Sequence, residues 1–181
     1  MRRLTYVLCC ALAAATVGGL AHPASVRAAA PAAAETPAGG DKAAIQALEK
    51  GFEAAFRAKD VDAIMKAYQP GPHLFVFDVT PPRQHVGWED YKKDWQALFA
   101  AVAGPVNFNI TDLDITTVGS VAYSHSIQSL EHAGKDGAKV NLTVRVTDVY
   151  RKIHGHWLIV QEHVSVPVDL ASGKPDLLSR P

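Results

Sequence analysis

At Gly104-Pro105 the spacing of apolar residues changes from three-and-four to two, and that change limits the possible folds more than any other feature of the chain. Ahead of it, Asp41 stands as a helix cap before Ile45, Leu48, Phe52, Ala55 and Phe56, a single apolar stripe. Asp60 caps a second helix with Ile64, Ala67 and Tyr68 on its apolar side, and Pro70-Gly71-Pro72 stops it. Residues 74–77 read as a short strand ending at Asp78, and residues 84–86 pair back after Pro81-Pro82. Gly87 then precedes a third helix carrying Trp88, Tyr91, Trp95, Leu98, Phe99 and Val102, which Gly104 and Pro105 end. Behind the change, residues 106–114, 120–131, 139–152 and 156–168 alternate and read as four long strands, with hairpin signals at 134–137 and His154-Gly155. Helices gathered ahead of a strand meander predict an α+β domain.

The segment before this domain has a different character. Arg2 and Arg3 precede an uncharged apolar stretch, residues 4–20, and Val26-Arg27-Ala28 offers a small-x-small cleavage pattern. The expectation is an export signal over residues 1–28, an Ala/Pro-rich linker over 29–40, a domain over 41–168 and a tail over 169–181, in a periplasmic or secreted protein that does not stay in the membrane after cleavage. Both cysteines, Cys9 and Cys10, fall in the leader, so the domain has no disulfide and no thiolate nucleophile. Without Arg2, Arg3 and Arg27 the chain keeps 15 of its 18 basic residues against all 18 acids. A surface of that sign, with no basic run, argues against nucleic acid as partner.

Asp78 ends the apolar run Phe75-Val76-Phe77; a carboxylate in such surroundings loses hydration, and its pKa tends upward into the range of a general base. On the fifth strand Val140, Leu142, Val144, Val146, Asp148 and Tyr150 share one face. On the sixth, Leu158, Val160, Glu162 and Val164 do. Asp148 and Glu162 are thus acids set in apolar walls, to be paired, protonated or wetted by a cavity. The competing assignment turns Arg145, Thr147, His163 and Ser165 inward, with Arg145 gripping a carboxylate ligand and His163 beside it. The histidines are scattered over different elements and no pair has helical spacing with a glutamate, so neither a metal nor a cofactor is expected.

Three stretches carry a family likeness: Phe52 to Asp60 with Asp62, Ile64 and Tyr68; Phe77-Asp78 leading through Pro81 and Pro82 to Gly87 and Tyr91; and Arg145-Val-Thr147, Tyr150-Arg-Lys, Gly155-His-Trp157 and His163-Val-Ser165-Val-Pro167. With them the chain from about Asp41 to Pro167 resembles the nuclear-transport-factor-2-like superfamily, which includes ketosteroid isomerase, the SnoaL-like proteins and the calmodulin-kinase association domain. The resemblance implies a cone: three N-terminal helices packed on a curved, mixed, mainly antiparallel sheet, with a pocket opening near the end of the first strand. It implies that Asp78 matches the proton-abstracting aspartate and that the convex sheet face pairs two subunits. It also sets His125 and Tyr123 on the strand face lining the cone, His125 as donor. Tyr68, Trp88 and Trp95 are the candidate aromatic walls. The isomerase machinery does not carry over whole. Its tyrosine donor on the first helix is matched here by Phe52, which donates nothing, and its protonated aspartate by Thr147 or Asp148.

Three readings remain open: a ligand-binding domain that performs an acid–base step (isomerisation, dehydration or cyclisation) on a small cyclic or carbonyl compound, with Asp78 as base and His125 or Asp148 as donor; a non-catalytic module that captures a small ligand; and a dimeric assembly domain.

Overall fold

A computed structural model describes residues 38–179; the expected export signal and most of the expected linker lie outside the described residues. Helix α1 (Ala38–Ala58) begins ahead of Asp41, so Asp41 sits in its first turn instead of capping it. Its carboxylate instead accepts from Lys152 Nζ at 2.7 Å and Trp157 Nε1 at 3.1 Å, tying the helix start to the sheet. Helix α2 (Val61–Met65) does start on its expected cap: Ala63 N donates to Asp60 Oδ1 at 2.9 Å. Asp60→Ala should therefore cost about 1 kcal/mol, read as a lowered urea midpoint at unchanged slope.

Strands β1 (Phe75–Phe77) and β2 (His85–Val86) form the expected short pair, and helix α3 (Trp88–Ala101) follows Gly87. Gly87 holds φ at +93°, a conformation other residues rarely adopt, while its N–H reaches back to Leu74 O at 2.8 Å. The meander is β3 (Val102–Val118), β4 (Val121–Gly134), β5 (Lys139–Ile153) and β6 (His156–Ser165). The sheet order is β2-β1-β6-β5-β4-β3, with β1 and β6 parallel and every other pair antiparallel.

The sheet has three register shifts, one of them between Thr111 and Asp114 in β3, and the other two depart most from the sequence reading. Gly104 and Pro105 do not separate helix from strand; they lie within β3, where the register shifts between Ala103 and Asn107. That bulge is tolerated because β3 is an edge strand, where a missing N–H breaks no ladder bond. On β6 the alternation breaks. Val149 pairs with Gln161 but Tyr150 pairs with Ile159, so Val160 is an extra residue. Trp157 and Ile159 therefore face inward before the bulge, with Glu162 after it, in place of one continuous inward set from Leu158 to Val164.

The helices cover one face of the sheet, and the core between them is rich in aromatics. Phe56 stacks on Phe108 with ring centroids 4.0 Å apart and meets Trp95 and Phe99 edge-on. Beyond β6, Leu177 O accepts from Thr143 N at 2.7 Å, so the segment after the meander returns along β5. Among the described residues no helix is long and apolar enough to cross a membrane.

Candidate functional site

Between the helices and the inner sheet face lies a cavity of about 380 Å³, within the size range of small-molecule sites. Its walls are apolar, with Phe52 and Phe56 from α1, Trp95 and Leu98 from α3, and Leu142 and Val144 from β5. One end is polar: Asp78, Tyr91, Asp94 and Glu162 all reach it.

Glu162 anchors that end. Tyr68 donates to its Oε2 at 2.7 Å and Tyr91 to its Oε1 at 2.8 Å. Burial pushes its pKa up to about 7, against the opposing pull of those two hydroxyls. Glu162 is therefore poised to hold or release a proton at neutral pH. Asp78 lies nearer the rim. Its Oδ1 accepts from Val79 N at 2.5 Å and its Oδ2 faces Tyr91 Oη at 3.5 Å. Burial raises its pKa, and the two backbone N–H groups of Val79 and Thr80 resist the shift.

Behind the cavity floor is a second polar cluster. Asp148 stands opposite Glu162 across β5 and β6 and is almost fully buried. Tyr150 Oη lies 2.7 Å from Glu49 Oε1, 2.8 Å from Ser124 Oγ and 3.4 Å from Asp148 Oδ2. Burial lifts Glu49 to about 7. Asp148 is lifted well above the usual carboxylate range, by burial first and then by the charges of Glu162 and Glu49. Of the two positions matched to the family's protonated aspartate, the inward one is Asp148; Thr147 is exposed on the opposite face.

The expected residues divide sharply. Asp78, Trp95 and Glu162 line the cavity. Tyr68 supports it from behind through Glu162, and Asp148 lies beneath it. Trp88 does not line it; its indole N–H is used on Met65 O at 2.9 Å. His125 and Tyr123 were expected inside and are instead on the exposed outer face of β4. At that end of the strand the inward positions are the small residues Ala122, Ser124 and Ser126, with Ser124 drawn in by Tyr150, and further along Gln128, Leu130 and His132 turn into the cavity. Arg145 and His163 are likewise exposed on the outer face, which overturns the carboxylate-gripping alternative. His163 packs there on Phe77, with ring centroids 5.4 Å apart.

Glu49 was missed from the sequence, yet it sits four residues after Ile45 and three before Phe52, inside the α1 apolar stripe. A charged residue on a buried stripe is the signal that marks it. Tyr91 and Asp94 share one face of α3 by the same spacing, and only Tyr91's packing role was legible.

Known structures share this architecture. A nuclear-transport-factor-2-like protein of unknown function from Pseudomonas putida KT2440 superposes with a TM-score of 0.71 at 24% identity, covering 79% of this chain and 98% of that one. A candidate dehydratase of the same superfamily from Streptomyces avermitilis gives 0.61 at 16% identity over 71% and 97% of the two chains. A ketosteroid isomerase-like protein from Erwinia carotovora atroseptica SCRI1043 gives 0.58 at 19% identity over 68% and 93%. A search of curated proteins finds no match. Residues 45–169 match the family model of the SnoaL-like domain, and the chain belongs to that family.

Proposed function

We propose that this is an exported domain that captures a small, mostly apolar cyclic or carbonyl compound and moves a proton on it, with Glu162 as the proton-transfer group. The observation that carries the reading is the placement of Glu162: a carboxyl with a pKa pushed up to about 7, held by two tyrosine hydroxyls, in a mostly apolar cavity that Gln128 and His132 also line. A group that titrates near the working pH is matched to acid–base catalysis. Tyr91 lies between Glu162 and Asp78; its single hydroxyl proton is donated to Glu162 in the unliganded chain and would have to turn from there to serve a ligand oxygen. Asp78, in its protonated form, is the second group that can donate to that oxygen. Isomerisation and dehydration fit this arrangement, and the dehydratase- and isomerase-like structural relatives support the class. Steroid isomerisation as such does not fit, because Phe52 occupies the position of the donor on α1. Export rests on the Arg2-Arg3 apolar leader. Pairing of two copies through the outer sheet face is supported by exposed Val118, Val121 and Tyr123 on β3 and β4.

Native mass spectrometry of the protein after incubation with a panel of small cyclic ketones and enones tests capture. The expected result is an adduct on the folded chain, released on denaturation and absent from Val144→Trp, which fills the cavity. An unliganded wild-type chain, or an adduct retained by Val144→Trp, would overturn the reading.

A further inference from the structure

We propose that Asp78, His85 and Asp94 form a binding site for one divalent transition-metal ion at the edge of the cavity. Each offers a ligand atom, and the atoms lie within 4.8 Å of one another. His85 Nε2 is 3.9 Å from Asp94 Oδ1. A cation about 2.0–2.2 Å from each ligand holds such atoms roughly 3–4 Å apart, so closing the site asks for side-chain shifts of about an ångström.

The histidine turns this from a pair of acids into a site. His85 is only 4% exposed and its Nε2 has no hydrogen-bond partner, an expensive condition for a buried ring nitrogen. Its other nitrogen, Nδ1, lies 3.1 Å from Asp90 Oδ2. With the Nδ1 proton donated to Asp90, the Nε2 lone pair is directed at the two remaining carboxylates. A lone pair facing two negative oxygens is unfavourable unless a positive charge lies between them. An imidazole oriented through one nitrogen by a carboxylate, with the other left free, is the arrangement that metal-ligating histidines carry. Asp90 and Asp94 are one turn apart on α3, so a single helix face supplies both the orienting carboxylate and a ligand. β1 and β2 supply the rest: Asp78 follows directly on β1, and His85 pairs with Val76 across the strands. Regular elements therefore hold the set in place.

One imidazole and two carboxylates suit zinc, manganese, iron or cobalt better than calcium or magnesium. The scattered histidines concealed this site, because its ligand set needs only one of them. Bound there, the ion adjoins Asp78 and hence Tyr91 Oη, next to the polar end of the cavity.

Cobalt(II) is the probe. The full-length chain, stripped with chelator, is titrated by absorption and calorimetry. One equivalent is expected to bind with a visible d–d band. His85→Gln and Asp94→Asn should each weaken binding at least tenfold. Asp90→Asn, which keeps all three ligands, should weaken it about tenfold through loss of orientation. Circular dichroism checks each variant, and Asp94, partly exposed, carries the comparison if His85→Gln misfolds. Absence of one bound equivalent, or wild-type affinity in a folded Asp94→Asn, would overturn the proposal. The outcome is independent of whether any ketone binds or reacts.

Discussion

Raising the pH from 5 to 8 will weaken this domain by several kcal/mol, the reverse of what paired surface carboxylates produce. Glu49 and Glu162 have folded-state pKa values near 7 against an ordinary 4.5, both because burial disfavours their charged forms. In the interval between those values the folded chain binds more protons than the unfolded one. Stability therefore falls as pH rises, from about 4.5 until both groups are ionised above 7. Each such shift is worth on the order of 3 kcal/mol. Asp148, also raised by burial, acts in the same direction. The groups facing Glu162 are Tyr68, Tyr91, Asp78, Asp148 and Glu49; those facing Glu49 are Tyr150, Asp148 and Glu162, so the two glutamates titrate together. The tyrosines are pushed up by burial and the neighbouring carboxylates, so they stay neutral throughout the interval. The depressed acids Asp41, Asp62, Asp169 and Asp176 lose their contribution only below the ordinary carboxylate value, outside this window. Urea unfolding at pH 5, 6, 7 and 8 measures the slope. Glu49→Gln should flatten it and raise stability at pH 8. A domain that gains stability over this interval would show that the interior acids are ionised and paired.

Phe56→Ala should cost about 3–5 kcal/mol, enough to leave a domain of ordinary stability only marginally folded. Phe56 is 4% exposed. With Phe52 and Trp95 it forms the centre of the aromatic core: it stacks flat on Phe108 and meets Phe52, Trp95 and Phe99 edge to face. Removing the ring takes away apolar burial and several aromatic pairs together. It also removes a wall of the cavity, so ligand capture should fail even at low temperature, where the chain stays folded. Phe99→Ala, at the half-buried rim of the same cluster, should cost markedly less. Equal losses in the two variants would mean that the cluster is not organised around Phe56.

The order of elements could be read from the chain because its punctuation is local. Asp60 caps α2, Pro70-Gly71-Pro72 stops it, and Gly87 turns the backbone into α3 with a positive φ. Alternation on β5 placed Asp148 and Tyr150 inward correctly, and Glu162 was legible as an acid within an apolar wall. Errors arose where tertiary context overrides a local rule. The bulge at Val160 reversed part of β6, and nothing near Val160 announces it; it is a property of the pairing with Val149 and Tyr150. On β4 the apolar-looking side, Tyr123 and Ile127, faces outward with His125, while serines face in. Ser124 is taken up by a buried polar network whose other members, Tyr150 and Glu49, lie far away in sequence, while Ser126 Oγ is buried without a hydrogen-bond partner. Asp94 and His85 escaped notice for the same reason: β2 and α3 meet only in the folded chain, and one histidine with two aspartates has no spacing signature.

The most direct test of the central claim follows deuterium incorporation alpha to the carbonyl of a captured cyclic ketone by NMR at neutral pD. The account predicts incorporation by the wild-type chain and a loss of about a hundredfold or more in Glu162→Gln, with ketone capture retained. A ketone that is bound yet exchanges at the same rate with wild type, Glu162→Gln and buffer would contradict it, and would leave the pocket as a site of capture without proton transfer.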